Sequence, residues 1–408
     1  MQPRGNPFTM PRPSLRPSLA SHWILDPAIT FLNHGSFGAC PLEILQFQHE
    51  LQLRIERQPV QFFARDLEPL LDHARNELAA FVGARPEDLA FVANATTGVN
   101  AVLRSLNFAA GDELLTTDHA YNGCRNALEH VAARSGARVV IAEIPFPAAS
   151  EGDAVEAILR CVSPATRLAL IDHITSPTAL VLPVARIVSE LQQRGIDSLI
   201  DGAHAPGMIE LDIGSLGAAW YTGNCHKWLC APKGAAFLHV RDDKRAVTHP
   251  TVISHGARTP RTNRCAFRLE FDWTGTHDPT AYLSIPRAIR FMGSLVPDGW
   301  KGLMARNHGL ALTARDLLCA AFGQSRPAPD SMLGSMAAIF LPSRFEAGRA
   351  DDLGIDPLQN RLLAEHHIEV PVIAWDGTRK LVRPSAQLYN QVEDYDTLAR
   401  AVLSDAGT

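Results

Sequence analysis

The run Trp220-Tyr221-Thr222-Gly223-Asn224-Cys225-His226-Lys227-Trp228-Leu229-Cys230-Ala231-Pro232-Lys233-Gly234 sets one lysine, Lys227, inside an aromatic and weakly charged stretch. A Pro-Lys-Gly turn follows, and then an apolar strand from Ala235 to Val240. If Trp220, Tyr221 and Trp228 keep water from Lys227, desolvation penalises its ammonium form and lowers its pKa. A neutral amine is the form that Schiff-base chemistry requires. A surface lysine whose stem runs past two tryptophans fits the same stretch, so the residues around it decide.

Upstream, short apolar segments alternate with helical ones. Strands are expected at 89–93, 113–117, 138–142, 168–174, 197–201, 218–221 and 235–240, with helices at 98–106, 121–135, 152–161 and 182–194 between most of them. This alternation predicts an α/β architecture, a mostly parallel seven-stranded sheet covered on both faces. Before the sheet, Pro41 opens a helix to about residue 57, and a second helix over 67–82 stops at Gly83. Beyond it, 249–278 reads as an extended excursion and 279–295 as one long helix leaving the large domain. A helix over 301–322, a strand over 336–341, a helix over 358–366, two short strands and a terminal helix from Tyr395 make a smaller α/β domain. The expected organisation is an N-terminal arm over 1–30, a large domain over 31–295 and a small C-terminal domain over 296–408.

A chain of 408 residues, 46% hydrophobic and 20% charged, suits one large domain with a smaller second one. Its net charge of −5 gives no reason to expect nucleic acid or an anionic membrane as partner. The seven cysteines are odd in number and form no Cys-x-x-Cys pair, so no metal is expected and a reducing cytoplasm is. The arm carries Pro3, Pro7, Pro11, Pro13 and Pro17 among arginines without an apolar core, unlike a secretory signal. No stretch approaches the roughly 18–20 apolar residues that span a bilayer.

Sheets of this kind bind ligands at the C-terminal ends of their strands. After the first strand, Asn94-Ala95-Thr96-Thr97-Gly98 offers hydroxyls and free helix amides, a seat for phosphate or a plain helix cap. No Gly-x-Gly-x-x-Gly or Walker-type loop is present, which disfavours a dinucleotide or ATP. Asp201, closing an apolar strand in Leu199-Ile200-Asp201-Gly202-Ala203-His204, is costly to bury unless a cation faces it. A protonated pyridine nitrogen is one such cation, and capping of the next turn is the other use of an aspartate there. His119, in Thr117-Asp118-His119-Ala120-Tyr121, could stack on an aromatic ring or simply fill the core.

Phosphate seat, ring stacker, acid and lysine follow one another along the chain, and here the sequence resembles the class V aminotransferases, fold-type I pyridoxal-phosphate enzymes. The likeness runs from about Phe31 to near the C-terminus and is most specific in Asp201-Gly202-Ala203-His204 and Asn224-Cys225-His226-Lys227. The stretches Leu32-Asn33-His34-Gly35-Ser36-Phe37-Gly38 and Val382-Arg383-Pro384-Ser385-Ala386-Gln387-Leu388-Tyr389-Asn390 look most like the isopenicillin-N-epimerase branch. The resemblance implies pyridoxal 5′-phosphate as cofactor, an amino acid or amino-acid-derived substrate, and a homodimer. It implies Lys227 as the Schiff-base lysine and proton shuttle, Asp201 on the pyridine nitrogen, His204 near the phenolic oxygen and His119 on the ring face. Thr96, Thr97, Asn224 and His226 would hold the phosphate, with Thr274 and Thr276 reaching the cofactor of the neighbouring subunit. Arg383 would clamp the substrate carboxylate, unless it forms a rim ion pair, and Asn33 and His34 would approach the substrate. Epimerisation, C–S β-elimination and transamination remain open, and His34, Tyr121 or water could be the second acid that epimerisation needs. Cysteine desulfurases place a nucleophilic cysteine upstream of that arginine; here none follows Cys319, which argues against persulfide chemistry.

Overall fold

Alternate residues of the central strands enter two different cores, and that alternation places the site. The computed structural model describes residues 18–345 and 354–405. Its main sheet contains β1 (Leu89–Val92), β2 (Glu113–Thr117), β3 (Arg138–Ala142), β4 (Thr166–Asp172), β5 (Asp197–Asp201), β6 (Trp220–Asn224) and β7 (Ala236–Val240). Their order is β1-β7-β6-β5-β4-β2-β3, with β7 antiparallel to both neighbours and the remaining pairs parallel. Successive side chains of a strand point to opposite faces. Ala169, Ile171 and Ile200 accordingly join the larger core, whereas Leu168, Leu170, Leu199 and Trp220 join a second core with Val99, Val102, Cys124 and Leu128.

The second core lies beneath helices α1 (Ala95–Ser105) and α2 (Asn122–Ser135). Period two carries the same face on to Asp172, Asp201, Thr222 and Asn224 at the strand ends, just where α1 and α2 begin. Asp172 is the register partner of Asp201, and Asp201 of Thr222. The fit between α1 and β6 is tight: a Cβ on Gly98 would lie 2.3 Å from Thr222 Oγ1.

The expected elements stand with small shifts at their ends, and three segments differ. Within 249–278, Ala266–Asp272 is a helix whose Phe267 and Phe271 enter the second core; the polar residues around them hide the i, i+4 pair. The long helix expected over 279–295 is broken at Ser284 into Thr280–Leu283 and Ile285–Ser294, because Pro286 in the first turn of the second piece has no N–H to continue the ladder. Of the strand expected over 336–341, Ile339–Phe340 alone forms a strand, and Met336 makes an isolated antiparallel bridge to Ser385.

The C-terminal part holds a three-stranded antiparallel sheet, Val372–Trp375, Arg379–Val382 and Ile339–Phe340 in that spatial order, with helices α3 (Gly299–Phe322), α4 (Pro357–His366) and α5 (Val392–Ser404). The chain's beginning is stitched to this part. Thr30–Phe31 pairs in parallel with Ile368–Glu369, Ser385 N–H donates to Leu32 O at 2.9 Å, and His34 N–H donates to Ser385 Oγ at 2.7 Å. Residues 1–17 of the proline-rich arm lie outside the described residues. From Ser18 on, the chain makes a 3-10 turn to His22, then buries Trp23 with its indole donating to Ala39 O at 3.0 Å. Among the described residues no helix is long and apolar enough to cross a membrane.

Candidate active site

A cavity of about 750 Å³ opens where β4, β5 and β6 end against the starts of α1 and α2. Lys227, three residues past β6, lines it with Asp201, His204, Thr96, Thr97, Asn224, His226 and Arg383. Segments far apart in sequence, from Thr96 to Arg383, thus converge on one space.

Lys227 Nζ lies 3.2 Å from His204 Nε2, and the Trp228 indole N–H donates to His204 Nδ1 at 3.3 Å. A neutral imidazole carries one donor and one acceptor. With Nδ1 accepting from Trp228, the ring proton sits on Nε2 and is donated to Nζ, which must therefore offer a lone pair. Burial, with help from the Arg383 charge, lowers the Lys227 amine to about 7, while Asp201 opposes the shift. Burial, with the neighbouring Lys227 and Arg383 side chains acting the same way, holds His204 well below its usual range. The lysine backbone is fixed as well: its carbonyl accepts from His34 Nε2 at 3.1 Å and from the Cys230 N–H at 3.0 Å. Trp220, expected to shield the amine, is instead at the far end of β6 with its indole on Thr248.

Two carboxyls sit side by side on the cavity wall. Asp201, 3% exposed, accepts from the Ala203 N–H on Oδ1 and from the Cys124 thiol on Oδ2, each at 3.0 Å. Asp172, which the sequence reading missed, lines the same cavity and takes the Tyr121 N–H at 3.4 Å. Burial and the Asp201 charge push Asp172 well above the carboxylate range. Burial also raises Asp201, but its two donors and Lys227 favour its anion. Of the two, Asp172 is therefore the one held protonated, and Asp201 the one whose neighbours favour the charge.

At the start of α1, Asn224 Oδ1 accepts the Ala95 N–H and Asn94 Oδ1 the Thr97 N–H, both at 2.8 Å. Both readings of this stretch thus meet in one place: Asn94 is the helix cap, and the Thr96 N–H and the Asn224 side-chain amide are donors suited to an anion. His226 Nδ1 donates to Ala235 O at 3.0 Å, and burial lowers its ring to about 4.

Arg383 is 4% exposed and has no carboxylate partner among the described residues. Its Nη1 donates to Ser176 O and Oγ, its Nη2 reaches Ser36 Oγ at 3.4 Å, and its Nε has no partner. A rim ion pair is thereby ruled out, and a buried guanidinium without a counter-charge suits an incoming carboxylate. Asn33 and His34 stand one layer behind the cavity. Asn33 Oδ1 accepts from Ser36 Oγ at 2.5 Å and so acts on Arg383 through Ser36. His34, fully buried, accepts from Tyr389 Oη on Nδ1 at 2.8 Å, and burial lowers its ring to about 3.

The structure does not bring His119 to the cavity. Its ring is drawn under the loop, with Nδ1 2.7 Å from Thr178 Oγ1, Nε2 3.0 Å from Ile144 O, and Trp375 edge-on at 4.8 Å. The aromatic of this loop that lines the cavity is Tyr121, 47% exposed. Thr276 also lies off it, and Thr274 lines a separate apolar cavity of about 250 Å³ that shares Thr97 and Thr251 with the first.

The site's residues fit pyridoxal 5′-phosphate on their own chemistry: a buried lysine amine lowered to about 7, a buried acid held by two hydrogen-bond donors, anion donors at a helix start, and a buried arginine with no carboxylate partner among the described residues. Comparison with known proteins agrees. The family model for class-V aminotransferases matches residues 56–398. Isopenicillin N epimerase of Amycolatopsis lactamdurans is 36% identical over 393 residues, 93% of this chain and 95% of that protein. Putative L-cysteine desulfhydrase 1 of Oryza sativa subsp. japonica is 33% identical over 406 residues, 91% of this chain and 82% of the other. Among solved structures, a lysine-to-alanine mutant of C-DES with glycine covalently linked to its PLP cofactor matches with a TM-score of 0.75 at 20% identity, covering 92% of this chain and 96% of that one.

Proposed function

The chain belongs to the class-V aminotransferase family and takes pyridoxal 5′-phosphate, and from that premise we propose that it exchanges the α-proton of an amino acid or amino-acid-derived substrate, with epimerisation as the outcome. The observation that carries this reading is the buried Lys227 amine, 3.2 Å from His204 Nε2 and lining one cavity with Arg383. When bound, the cofactor ring draws electron density away from the substrate α-carbon and makes its proton removable. Asp201 would hold the protonated ring nitrogen, His204 the phenolic oxygen, and Thr96, Thr97, Asn224 and His226 the phosphate. Tyr121, in place of His119, would cover the ring.

Arg383 would receive the substrate carboxylate on its fork, held by Ser176 and Ser36. Lys227 takes the α-proton on its own side, a task matched to an amine poised near neutrality. Epimerisation then needs a proton from the opposite side. His34 is not available, because it sits behind the Lys227 backbone and is spent on Tyr389 and the Lys227 carbonyl. Tyr121, or a water beside it, supplies that proton in our reading.

C–S β-elimination is the second reading, favoured by relatives named L-cysteine desulfhydrase at 30% and 33% identity. A cavity of about 750 Å³ leaves room beyond the cofactor for a substrate larger than cysteine, which supports the first. The test is incubation of the holoprotein in D₂O with L-amino acids, cysteine conjugates and their sulfoxides. Deuterium at the α-carbon of both isomers without pyruvate supports epimerisation. Pyruvate with ammonia, or a keto acid, replaces it with elimination or transamination.

A further inference from the structure

Asp201 has two neighbours of unequal standing. The Ala203 N–H is main chain and follows from the turn after β5, whereas the donor on Oδ2 is the Cys124 thiol, from the first turn of α2. Cys124 is 2% exposed among Leu128, Val99 and Leu170 of the second core, surroundings in which an apolar side chain of its size would serve for packing alone. The thiol is aimed instead at a carboxylate 77 residues away in sequence, and the Thr96 side chain acts on the same sulfur, opposing the rise of its pKa. A chain of polar contacts, Thr96 to Cys124 to Asp201, thus joins the phosphate end of the cavity to its acid.

We propose that Cys124 is a positioning residue for the cofactor: its S–H, steadied by Thr96, fixes the Asp201 carboxylate in the orientation that meets the ring nitrogen. The proposal rests on the cofactor assignment above. Its physical reason lies in the paired register of Asp201 and Asp172. Two buried carboxyls side by side share a proton readily, and Asp201 serves only as the charged member. A permanent donor on Oδ2 biases the pair, and burial keeps the thiol protonated, so the donor is not lost near neutral pH. Without it, Asp201 can turn towards Asp172 and take up the acid proton there.

The full-length protein is compared as parent, C124A and C124S, with pyridoxal 5′-phosphate itself as the probe. The readouts are its Kd, the pH titration of the visible band after uptake, and the melting temperature of the cofactor-free protein. C124A is expected to bind the cofactor about tenfold more weakly and to shift the titration midpoint, as loss of a hydrogen bond to a charged group does. C124S, which keeps a donor, should stay within about threefold of the parent. Equal Kd and equal titration for C124A and parent overturn the proposal, and so does C124S failing as badly as C124A at unchanged melting temperature. An infrared S–H difference band, parent minus C124A and then the same pair carrying D201N, tests the contact in cofactor-free protein. The band should move to higher frequency in the D201N pair, where the carboxylate acceptor has become a neutral amide, and an unmoved band also overturns the proposal. A parent that takes up no cofactor sinks the cofactor assignment itself, an outcome distinct from a parent that binds and a C124A that binds equally well.

Discussion

At the scale of single residues, the chemistry depends on Lys227 losing its proton near neutral pH. Its amine is lowered to about 7, so covalent capture of pyridoxal 5′-phosphate by the cofactor-free protein should rise with pH through about 7 and level off above it, instead of climbing towards the ordinary lysine range. Stopped-flow absorbance at a series of pH values checks this, with K227A as the blank that shows no visible band. The sign for stability follows: between about 7 and the unfolded value the unfolded chain holds the extra proton, so this group's contribution rises with pH over that window. Trp228→Phe removes the N–H that fixes the His204 tautomer, and the capture midpoint should move up by about half a unit to one unit. Arg383→Lys keeps the charge but loses the fork, so the KM for amino-acid substrate should rise at least about tenfold with a smaller change in kcat. Much of this site was legible in the chain. An acid ending an apolar strand, a lysine in an aromatic run and an arginine near the C-terminus each carry a desolvation cost that signals a purpose. Asp172 and Cys124 were not legible, because their meaning comes from strand register and from a contact 77 residues away. His119 and Tyr121 are both aromatic and polar and sit two positions apart. Which of them faces the cavity is decided by Thr178 and Trp375, remote in the chain.

At the scale of elements, the seat at the start of α1 exists because α1 lies close on β6. Gly98 is helical and needs no unusual backbone, so its requirement is space: Thr222 Oγ1 occupies the place of its Cβ. Gly98→Ala should cost about 1–3 kcal/mol in chemical denaturation despite alanine's better helix propensity. G98A/T222A should recover part of that loss, since the opposing hydroxyl is then gone. Equal stability of G98A and parent would mean that the helix moves freely off the sheet. The strands were readable at this scale because parallel strands buried on both faces appear as short apolar runs between helices. The helix Ala266–Asp272 was not, because two phenylalanines among arginines, a glutamate and an aspartate carry too little apolar period to reveal which core they enter.

At the scale of the whole molecule, Thr274 and Thr276 lie off their own chain's cavity, the placement expected of residues that serve a neighbouring subunit. We therefore expect a sedimentation mass of twice 44.4 kDa. Co-expression of K227A with T276V should give mixed dimers holding one complete site, with more cofactor uptake than either variant alone; no gain on mixing would place Thr276 outside the partner's site. The stitching of the chain's two ends has a consequence of its own. Ser385 grips the segment around Leu32 and His34 across 351 residues, and Arg383 belongs to the same strand end. A growing polypeptide on the ribosome can assemble the sheet, the lysine and its acid while the carboxylate clamp and the partner of the opening strand are still unsynthesised. Enclosure of the cofactor therefore waits until the segment around Arg383 and Ser385 has left the ribosome, and a stalled nascent chain ending before position 380 would present the lysine in a half-built cleft open to water.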